Sequence, residues 1–313
     1  INKLNKNTAL ILEKKNKKIS YSKLDFYLSS ISKKFEKNSL AFLLCKNNLE
    51  TVVSYLSLLK MDCAIVLLDE QIDNRLLTKL ANIYKPNLIF LPKKFKKNFK
   101  KYKKTFIFFD YMLYKEKVFS KKKIHPNLSL LISTSGSTGT PKLVKLSKNN
   151  LINNTIQISK YLPITKRDTT ITTLPMSYVY GLSVINTHIY KGASILLNTS
   201  SVIEKDFWVK MVQNKISSFA GVPYIYSLIE KLNLKNFPPK TLKYSTQAGG
   251  KLSIRTLENI MNKYKKLKIR FFSMYGASEA TSRMSYVPWK MATKKKGSIG
   301  IPLEGGSFYL EDK

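Results

Sequence analysis

The sequence has few of the residues on which several large protein classes depend. It contains two cysteines and two histidines in 313 residues. Cys45 and Cys63 lie inside apolar runs without a CxxC spacing, which predicts buried free thiols in a reducing cytoplasm and no disulfide framework. His125 and His188 are far apart in the sequence and have no ligand-like neighbours. Neither a zinc centre nor a histidine-based catalytic triad is therefore indicated.

Long apolar runs are also missing. A membrane-spanning helix needs about 18 consecutive apolar residues. The longest candidate, residues 55–68, is interrupted by Lys60 and Asp62, so we expect no membrane span. The hydrophobic content of 43% is nevertheless high enough to form a large core, which argues against wholesale disorder.

Arginine is scarce although the chain is strongly basic, with a formal net charge of +36. Of the 55 basic residues five are arginine, which leaves 50 lysines. Nucleic-acid surfaces favour arginine as well as lysine, because the guanidinium group matches phosphates and guanine edges. The excess of lysine, asparagine and isoleucine instead favours a coding bias toward A and T. We expect non-specific attraction to polyanions at low salt and no specific nucleic-acid partner.

The most informative segment that is present is Thr134–Lys142, with the sequence TSGSTGTPK. It follows the apolar run 128–132 and precedes the apolar run 143–146, which predict two strands. Glycines permit a tight turn and close approach to a ligand, and successive backbone N–H groups in such a turn form an anion-binding concavity. The hydroxyl groups and Lys142 add donors and a positive charge. The segment therefore predicts a phosphate-binding loop.

Two other interpretations of this loop are weaker. The Walker loop requires Gly-Lys followed by Ser or Thr, whereas Pro141 precedes Lys142 here and Leu143 follows it. A Ser/Gly-rich linker would not directly join two predicted strands.

Predicted strands and helices alternate along most of the chain. The predicted strands are 40–45, 64–68, 88–91, 106–109, 128–132, 143–146, 169–174, 193–197, 217–220, 243–246, 269–274 and 307–310. The predicted helices are 20–37, one capped by Asn47-Asn48, 73–84, 147–162, 203–213 and one that begins near Pro223. This alternation predicts an α/β fold with layered, parallel-rich sheets flanked by helices.

Three further segments follow predicted strands, and they complete a recognisable order of motifs. They are Gln247-Ala248-Gly249-Gly250, Tyr275-Gly276-Ala277-Ser278-Glu279, and Gly297-Ser298-Ile299-Gly300-Ile301-Pro302. Together with the phosphate loop they resemble the signatures of the adenylate-forming superfamily, which includes acyl-CoA synthetases, firefly luciferase and peptide-synthetase adenylation domains. The sequence departs from the usual pattern where Leu143 replaces glycine and Ser278 replaces threonine. Short motifs arise by chance, but several in the family's order do not.

This resemblance implies a function and a set of site residues. The expected reaction activates a carboxylic acid with ATP and Mg²⁺ to acyl-AMP and pyrophosphate. The acyl group then passes to coenzyme A or to the phosphopantetheine arm of an acyl carrier protein. The residues expected to bind the nucleotide are Thr134, Ser135, Gly136, Ser137, Thr138, Gly139, Gly249, Gly250, Tyr275 and Gly276. The expected catalytic residues are Lys142, Ser278 and Glu279, with Glu279 and Thr138 as ligands of Mg²⁺.

The acid-binding residues are also assigned by resemblance. Tyr178 and Gly181 match the position that flanks the carboxylate, although a core position is the alternative for the tyrosine. No acidic residue occurs between Thr169 and Ile203. Because a buried ammonium group without a counter-charge is costly, we expect an acid other than an α-amino acid.

The resemblance further implies a division of the chain. We expect a first α/β subdomain at 1–126, a second at 127–296 with the phosphate loop and the adenine and metal motif, and the start of a small β-barrel-like subdomain at 297–313. The family's mobile C-terminal domain is expected to be absent, so that this chain alone would be poorly active. The alternative function is a catalytically retired protein of the same fold that binds polyanions or nucleotides, which the presence of Lys142 and Glu279 disfavours.

Overall fold

A computed structural model of the chain describes residues 6–13, 17–95, 99–133, 142–232 and 238–311. The predicted phosphate loop, apart from Lys142, lies outside the described residues. The chain divides into two compact units, of which the first is formed mainly by 19–152 with 175–179. The second is formed by 7–18, 153–174 and 180–313. Both units combine separate segments, whereas the division at 126/127 and 296/297 assumed continuous ones and stays a prediction.

The described residues form 16 β-strands and eight α-helices. The strands are β1 Thr8–Leu12, β2 Lys17–Ser20, β3 Leu40–Cys45, β4 Ala64–Asp69, β5 Leu88–Pro92, β6 Tyr102–Phe108, β7 Tyr111–Glu116, β8 Leu128–Ser133, β9 Leu143–Ser147, β10 Thr169–Ile171, β11 Ser194–Leu197, β12 Ser218–Gly221, β13 Tyr244–Gln247, β14 Arg270–Tyr275, β15 Ser285–Tyr286 and β16 Ile301–Pro302. The α-helices are α1 Tyr21–Ser32, α2 Leu49–Lys60, α3 Asn74–Tyr84, α4 Lys148–Tyr161, α5 Val179–Tyr190, α6 Lys205–Gln213, α7 Pro223–Lys231 and α8 Ile254–Lys266.

The first unit is built on a sheet with the strand order β6-β7-β5-β3-β4-β8-β9. Its central strands β5, β3, β4 and β8 are parallel, and they are almost wholly buried because their sequences are continuously apolar. The outer strands β6, β7 and β9 pair antiparallel, and β6 carries exposed lysines toward the edge. Buried side chains from Phe42, Val66 and Ile89 form the centre of one hydrophobic cluster in this unit.

Side-chain caps fix the beginnings of several helices. Ser20 accepts a hydrogen bond from the backbone N–H of Lys23 at the start of α1. Asn48 and Asp73 cap α2 and α3 in the same way. Such caps satisfy donors that the first helical turn leaves unpaired, and they explain why these boundaries agree with the sequence predictions.

The second unit contains a sheet with the order β16-β15-β14-β13-β12-β10-β11-β1-β2. The strands from β14 to β1 are parallel, so their carboxyl ends lie along one edge. The chain passes from β10 to β11 on one side and then returns to place β12 on the other side of β10. A change of direction of this kind opens a crevice beyond the carboxyl ends, which is where ligands bind in open α/β sheets.

The predicted helix-flanked α/β architecture is confirmed, with corrections to individual elements. The predicted strand at 307–310 is wrong: this stretch is exposed and unpaired among the described residues, and the short strand β16 lies earlier. Gly305, with a φ of +84°, and Gly306 form a turn directly before residues 307–310. No closed barrel is present in the described part of the chain. None of the described helices is both long and apolar enough to cross a membrane.

Candidate functional site

The strands on either side of the predicted phosphate loop pair with each other. β8 and β9 are antiparallel, and Ser133 lies opposite Leu143. The segment between them therefore joins two neighbouring strand ends within the first unit. Lys142 is exposed and makes no ion pair with any other described residue.

In the second unit, the chain makes a glycine turn where β13 ends. Gly249 has a φ of +83° and Gly250 one of +159°, in the region that favours glycine. Gln247, which is 2% exposed, holds this turn by donating a hydrogen bond from Nε2 to the carbonyl oxygen of Gly250, at 2.7 Å. Its Oε1 accepts a hydrogen bond from Ser273 on the neighbouring strand β14, at 3.2 Å. The exposed backbone of the turn is therefore fixed to the sheet edge.

A second turn follows the neighbouring strand β14. Tyr275 ends the strand with its ring 44% exposed, and Ser278–Ala280 form a single 3₁₀ turn. The side chains of Ser278 and Glu279 make no hydrogen bond or ion pair with another described residue. An exposed ring, a hydroxyl group and a carboxylate thus stand together at the carboxyl edge, one strand away from the glycine turn.

This donor set suits a magnesium–nucleotide complex. Mg²⁺ takes oxygen ligands and is commonly held by one or two carboxylates together with phosphate oxygens and water. Glu279 is an uncommitted carboxylate of that kind, whereas its predicted partner ligand Thr138 lies outside the described residues. No cluster of three or more His, Cys, Asp or Glu occurs in the described part of the chain. Any magnesium here would therefore take most of its ligands from phosphate oxygens and water.

The backbone after this turn is strained. Thr281 has a φ of +64° and Ser282 one of +125°, although neither is glycine. Conformations of this kind cost about 1–3 kcal/mol each and persist where surrounding contacts enforce them. Asn154 on α4 donates a hydrogen bond to the carbonyl oxygen of Arg283, at 2.9 Å, and helps to hold the segment. The result is that the side chain of Arg283 is directed into the interior, where it is 4% exposed.

Below the strand ends lies a small cavity of about 20 Å³ inside the second unit. Its walls come from β10, β12, β13, β14, one face of α5 and the end of α4, and they include Tyr180, Ser183, His188, Thr246 and Arg283. Such a volume is enough for about one water molecule. None of the described residues that line it is acidic.

Neither of the two residues predicted to bind the acid is among the described residues that line this cavity. Tyr178 is half-buried in the turn before α5, and Gly181 is buried within that helix. The aromatic residues that line the cavity are instead Tyr180, Phe219 and Tyr244, and the hydroxyl group of Tyr180 bonds that of Thr246 at 2.8 Å. The roles of Tyr178 and Gly181 stay predictions.

The buried histidine beside this cavity is neutral at physiological pH. Burial lowers the pKa of His188 to about 4, against the opposing effect of a hydrogen bond to the carbonyl oxygen of Val184 at 2.7 Å. Its Nε2 lies 3.4 Å from the hydroxyl oxygen of Ser218 and 3.5 Å from that of Tyr244. These contacts explain His188 as a packed polar group rather than a metal ligand.

The structure thus brings together some predicted residues and adds others. Gly249, Gly250, Tyr275, Ser278 and Glu279 lie on two adjacent turns at one sheet edge. Sequence reasoning missed two residues that support or extend this site, Gln247 and Arg283. Gln247 stands two residues before the glycine pair, and this position was its visible signal. Arg283 lies four residues after Glu279, the last residue of the Tyr-Gly-x-Ser-Glu segment, in a chain that has few arginines.

The glycine turn and the Tyr/Ser/Glu turn lie at the carboxyl ends of parallel strands, which is where open α/β proteins bind their ligands. The chain matches the AMP-binding enzyme family over residues 2–313. It belongs to that family.

Known proteins with similar sequences include two coenzyme A ligases. Oxalate–CoA ligase from Saccharomyces cerevisiae is 23% identical over 186 residues, which are 59% of this chain and 34% of that protein. 2-Succinylbenzoate–CoA ligase from Bacillus cereus is 30% identical over 175 residues, which are 55% of this chain and 35% of that protein. The matched segments span about a third of the length of these relatives.

Solved structures show the same fold. O-succinylbenzoate coenzyme A synthetase (MenE) from Bacillus subtilis, in complex with ATP and magnesium ion, superimposes with a TM-score of 0.74 at 19% identity. The similarity covers 96% of this chain and 63% of that one.

Proposed function

We propose that this chain contains the nucleotide-binding and acid-binding groups of an enzyme that activates a carboxylic acid with ATP. The products would be acyl-AMP and pyrophosphate, and the acyl group would then pass to a thiol of coenzyme A or of a carrier protein. The main support is the turn after β14, where the half-buried Ser278 and the exposed Glu279 have side chains without partners among the described residues. The sequence similarity of the chain to coenzyme A ligases supports the same reaction class.

The residues have distinct roles in this proposal. The exposed ring of Tyr275 would stack on adenine, with the Gly249–Gly250 backbone along its edge. Ser278 would donate a hydrogen bond to the α-phosphate, and Lys142 would pair with phosphate oxygens. Glu279 would hold Mg²⁺, which when bound neutralises charge on the phosphates. Catalysis would then follow from alignment of the carboxylate with the α-phosphate and from stabilisation of the developing charge.

The substrate would be an acid without an α-ammonium group. Arg283 places a positive charge in the cavity lining, His188 is neutral there, and the described lining residues offer no acidic side chain to pair with an ammonium group. A buried ammonium group beside a guanidinium group would be repelled as well as desolvated.

The test is acid-dependent exchange of pyrophosphate into ATP by this chain, measured over a panel of aliphatic acids, aromatic acids and α-amino acids. Acid-dependent exchange that requires Mg²⁺ supports the proposal. The absence of exchange with every acid, together with equal binding of ATP and unrelated polyanions that disappears in 150 mM salt, would favour the retired, polyanion-binding alternative.

A further inference from the structure

Arg283 places a permanent positive charge inside the second unit without a carboxylate beside it. The guanidinium group donates to the Ser282 hydroxyl oxygen at 2.6 Å and to its carbonyl oxygen at 3.2 Å. Its other contacts include the sulfur of Met274 at 3.4 Å, the Ser183 hydroxyl oxygen at 3.5 Å and the side chain of Tyr161. All of these acceptors are neutral, and no described acidic residue forms an ion pair with Arg283.

Neutral contacts do not balance a buried charge. The guanidinium carbon lies 3.8 Å from the ring centroid of Tyr180, a cation–π contact that supports a structural role. Tyr180 and Ser183, however, lie at the beginning of α5, the end of a helix that carries partial positive charge. The helix therefore adds to the unbalanced charge. A buried cation in such surroundings is costly unless an anion pairs with it.

The position of this charge relates it to the proposed reaction. Arg283 lines the cavity together with Thr246 and Met274, which directly precede the ends of β13 and β14. These are the strands whose following turns carry the proposed nucleotide contacts. An acid whose carboxylate is activated at that edge would extend its other end toward Arg283. The free space of about 20 Å³ suits an oxygen atom of a small anionic group in place of a water molecule.

We propose that Arg283 binds a second anionic group on the acid, so that the preferred substrate is a short dicarboxylate rather than a monocarboxylate. This inference rests on the proposed function, and it adds a specificity-determining residue to it. The cavity is small, so the remote end of the acid would be compact, without a bulky apolar tail.

The test compares matched acids that differ in one terminal group. Binding of succinate against butyrate, and of glutarate against valerate, would be measured by calorimetry with the 313-residue chain in the presence of AMP. We expect the dicarboxylate to bind roughly 10- to 100-fold more tightly, the usual range for a charge-assisted hydrogen-bonded contact. Arg283→Gln should abolish this preference, while Arg283→Lys should keep part of it. Arg270→Gln is the matched control, because Arg270 is exposed at the opposite end of β14.

Circular dichroism would show whether each variant folds. If a variant does not fold, the comparison of paired acids on the unmodified chain still tests the inference. Equal binding of the paired acids, or a preference that survives in Arg283→Gln, would overturn the inference. Pyrophosphate exchange measured in parallel separates the two proposals. Exchange that favours monocarboxylates would leave the proposed function standing and refute the role of Arg283. Arg283-dependent binding of dicarboxylates without exchange would support that role and count against the proposed function.

Discussion

The carbonyl group of Ser282 occupies the space in which a side chain on Gly276 would begin. A Cβ atom on residue 276 would overlap the carbonyl oxygen of Ser282 and lie 2.6 Å from its carbonyl carbon. The chain doubles back here, since the backbone N–H of Met284 also bonds the carbonyl oxygen of Tyr275 at 2.9 Å. The glycine of the Tyr-Gly-x-Ser-Glu motif is therefore required by a close approach of backbone to backbone.

Replacing this glycine should disrupt both stability and nucleotide binding. We expect Gly276→Ala to lower the free energy of unfolding by about 3 kcal/mol, the upper end of the usual cost of overpacking, because backbone atoms cannot move aside as a flexible side chain can. Gly297→Ala is the control: Gly297 has a φ of +74° but open space around its Cβ position. Its cost should be about 1–2 kcal/mol from the left-handed backbone alone. Urea unfolding measures both, and equal losses would contradict the explanation.

Lys142 and Glu279 should each contribute to the binding of MgATP. We expect Lys142→Ala and Glu279→Ala to weaken it roughly 10- to 100-fold, the range for a lost charge-assisted contact. Lys145→Ala is the control for the lysine, because Lys145 is also exposed and lies on β9 three residues further along. Glu279→Ala should in addition reduce the effect of Mg²⁺ on affinity. Unchanged affinity in the two site variants, measured by calorimetry, would remove them from the site.

Much of the sheet architecture could be predicted because its signals are local. β3 occupies the residues that its apolar run predicted, and Asn48 caps α2 as its side chain and position indicated. By contrast, α5 was missed because it is buried on most sides, so its sequence shows little contrast between faces. Helix α8 was also missed, although the sequence contained a signal for it. Ser253 caps a segment with Leu257, Ile260 and Tyr264 at helical spacing.

The candidate site was predictable as a set of motifs but not as a set of contacts. The glycine pair after β13 and the turn after β14 follow their strands as expected. The burial of Arg283 depends on positive φ angles at Thr281 and Ser282 and on a contact with Tyr180, about a hundred residues away in the sequence. Local propensity contains no information about such long-range contacts, and an arginine is ordinarily expected at the surface.

Gln247 should position the glycine turn without touching the nucleotide itself. Gln247→Leu would remove the hydrogen bond to the carbonyl oxygen of Gly250 and leave the hydroxyl group of Ser273 without this acceptor. We expect a loss of about 1–3 kcal/mol in the free energy of unfolding and weaker binding of AMP. Gln213→Leu at the exposed end of α6 should change neither quantity appreciably. If AMP affinity is unaltered in Gln247→Leu, the turn does not border the adenine.

His188 should make the stability of the fold depend on pH in the mildly acidic range. Burial lowers its pKa to about 4, whereas the same side chain in the unfolded chain titrates near 6.5. Between these values the unfolded chain binds a proton that the folded chain does not, so stability falls as the pH decreases below about 6.5. The contribution is fully present above that pH, and the slope approaches about 1.4 kcal/mol per pH unit.

Urea unfolding between pH 5 and 7.5 would show this dependence, and His188→Gln should flatten it because glutamine does not titrate. The lower limit of pH 5 keeps most carboxyl groups ionised, so that their protonation contributes little to the slope. His125→Gln is the matched control, since His125 is exposed and its replacement should leave the slope unchanged. The same pH dependence in His188→Gln as in the unmodified chain would show that another group is responsible. It would also remove the physical reason for a neutral imidazole beside the cavity, because a histidine that charges readily in the folded protein would repel Arg283.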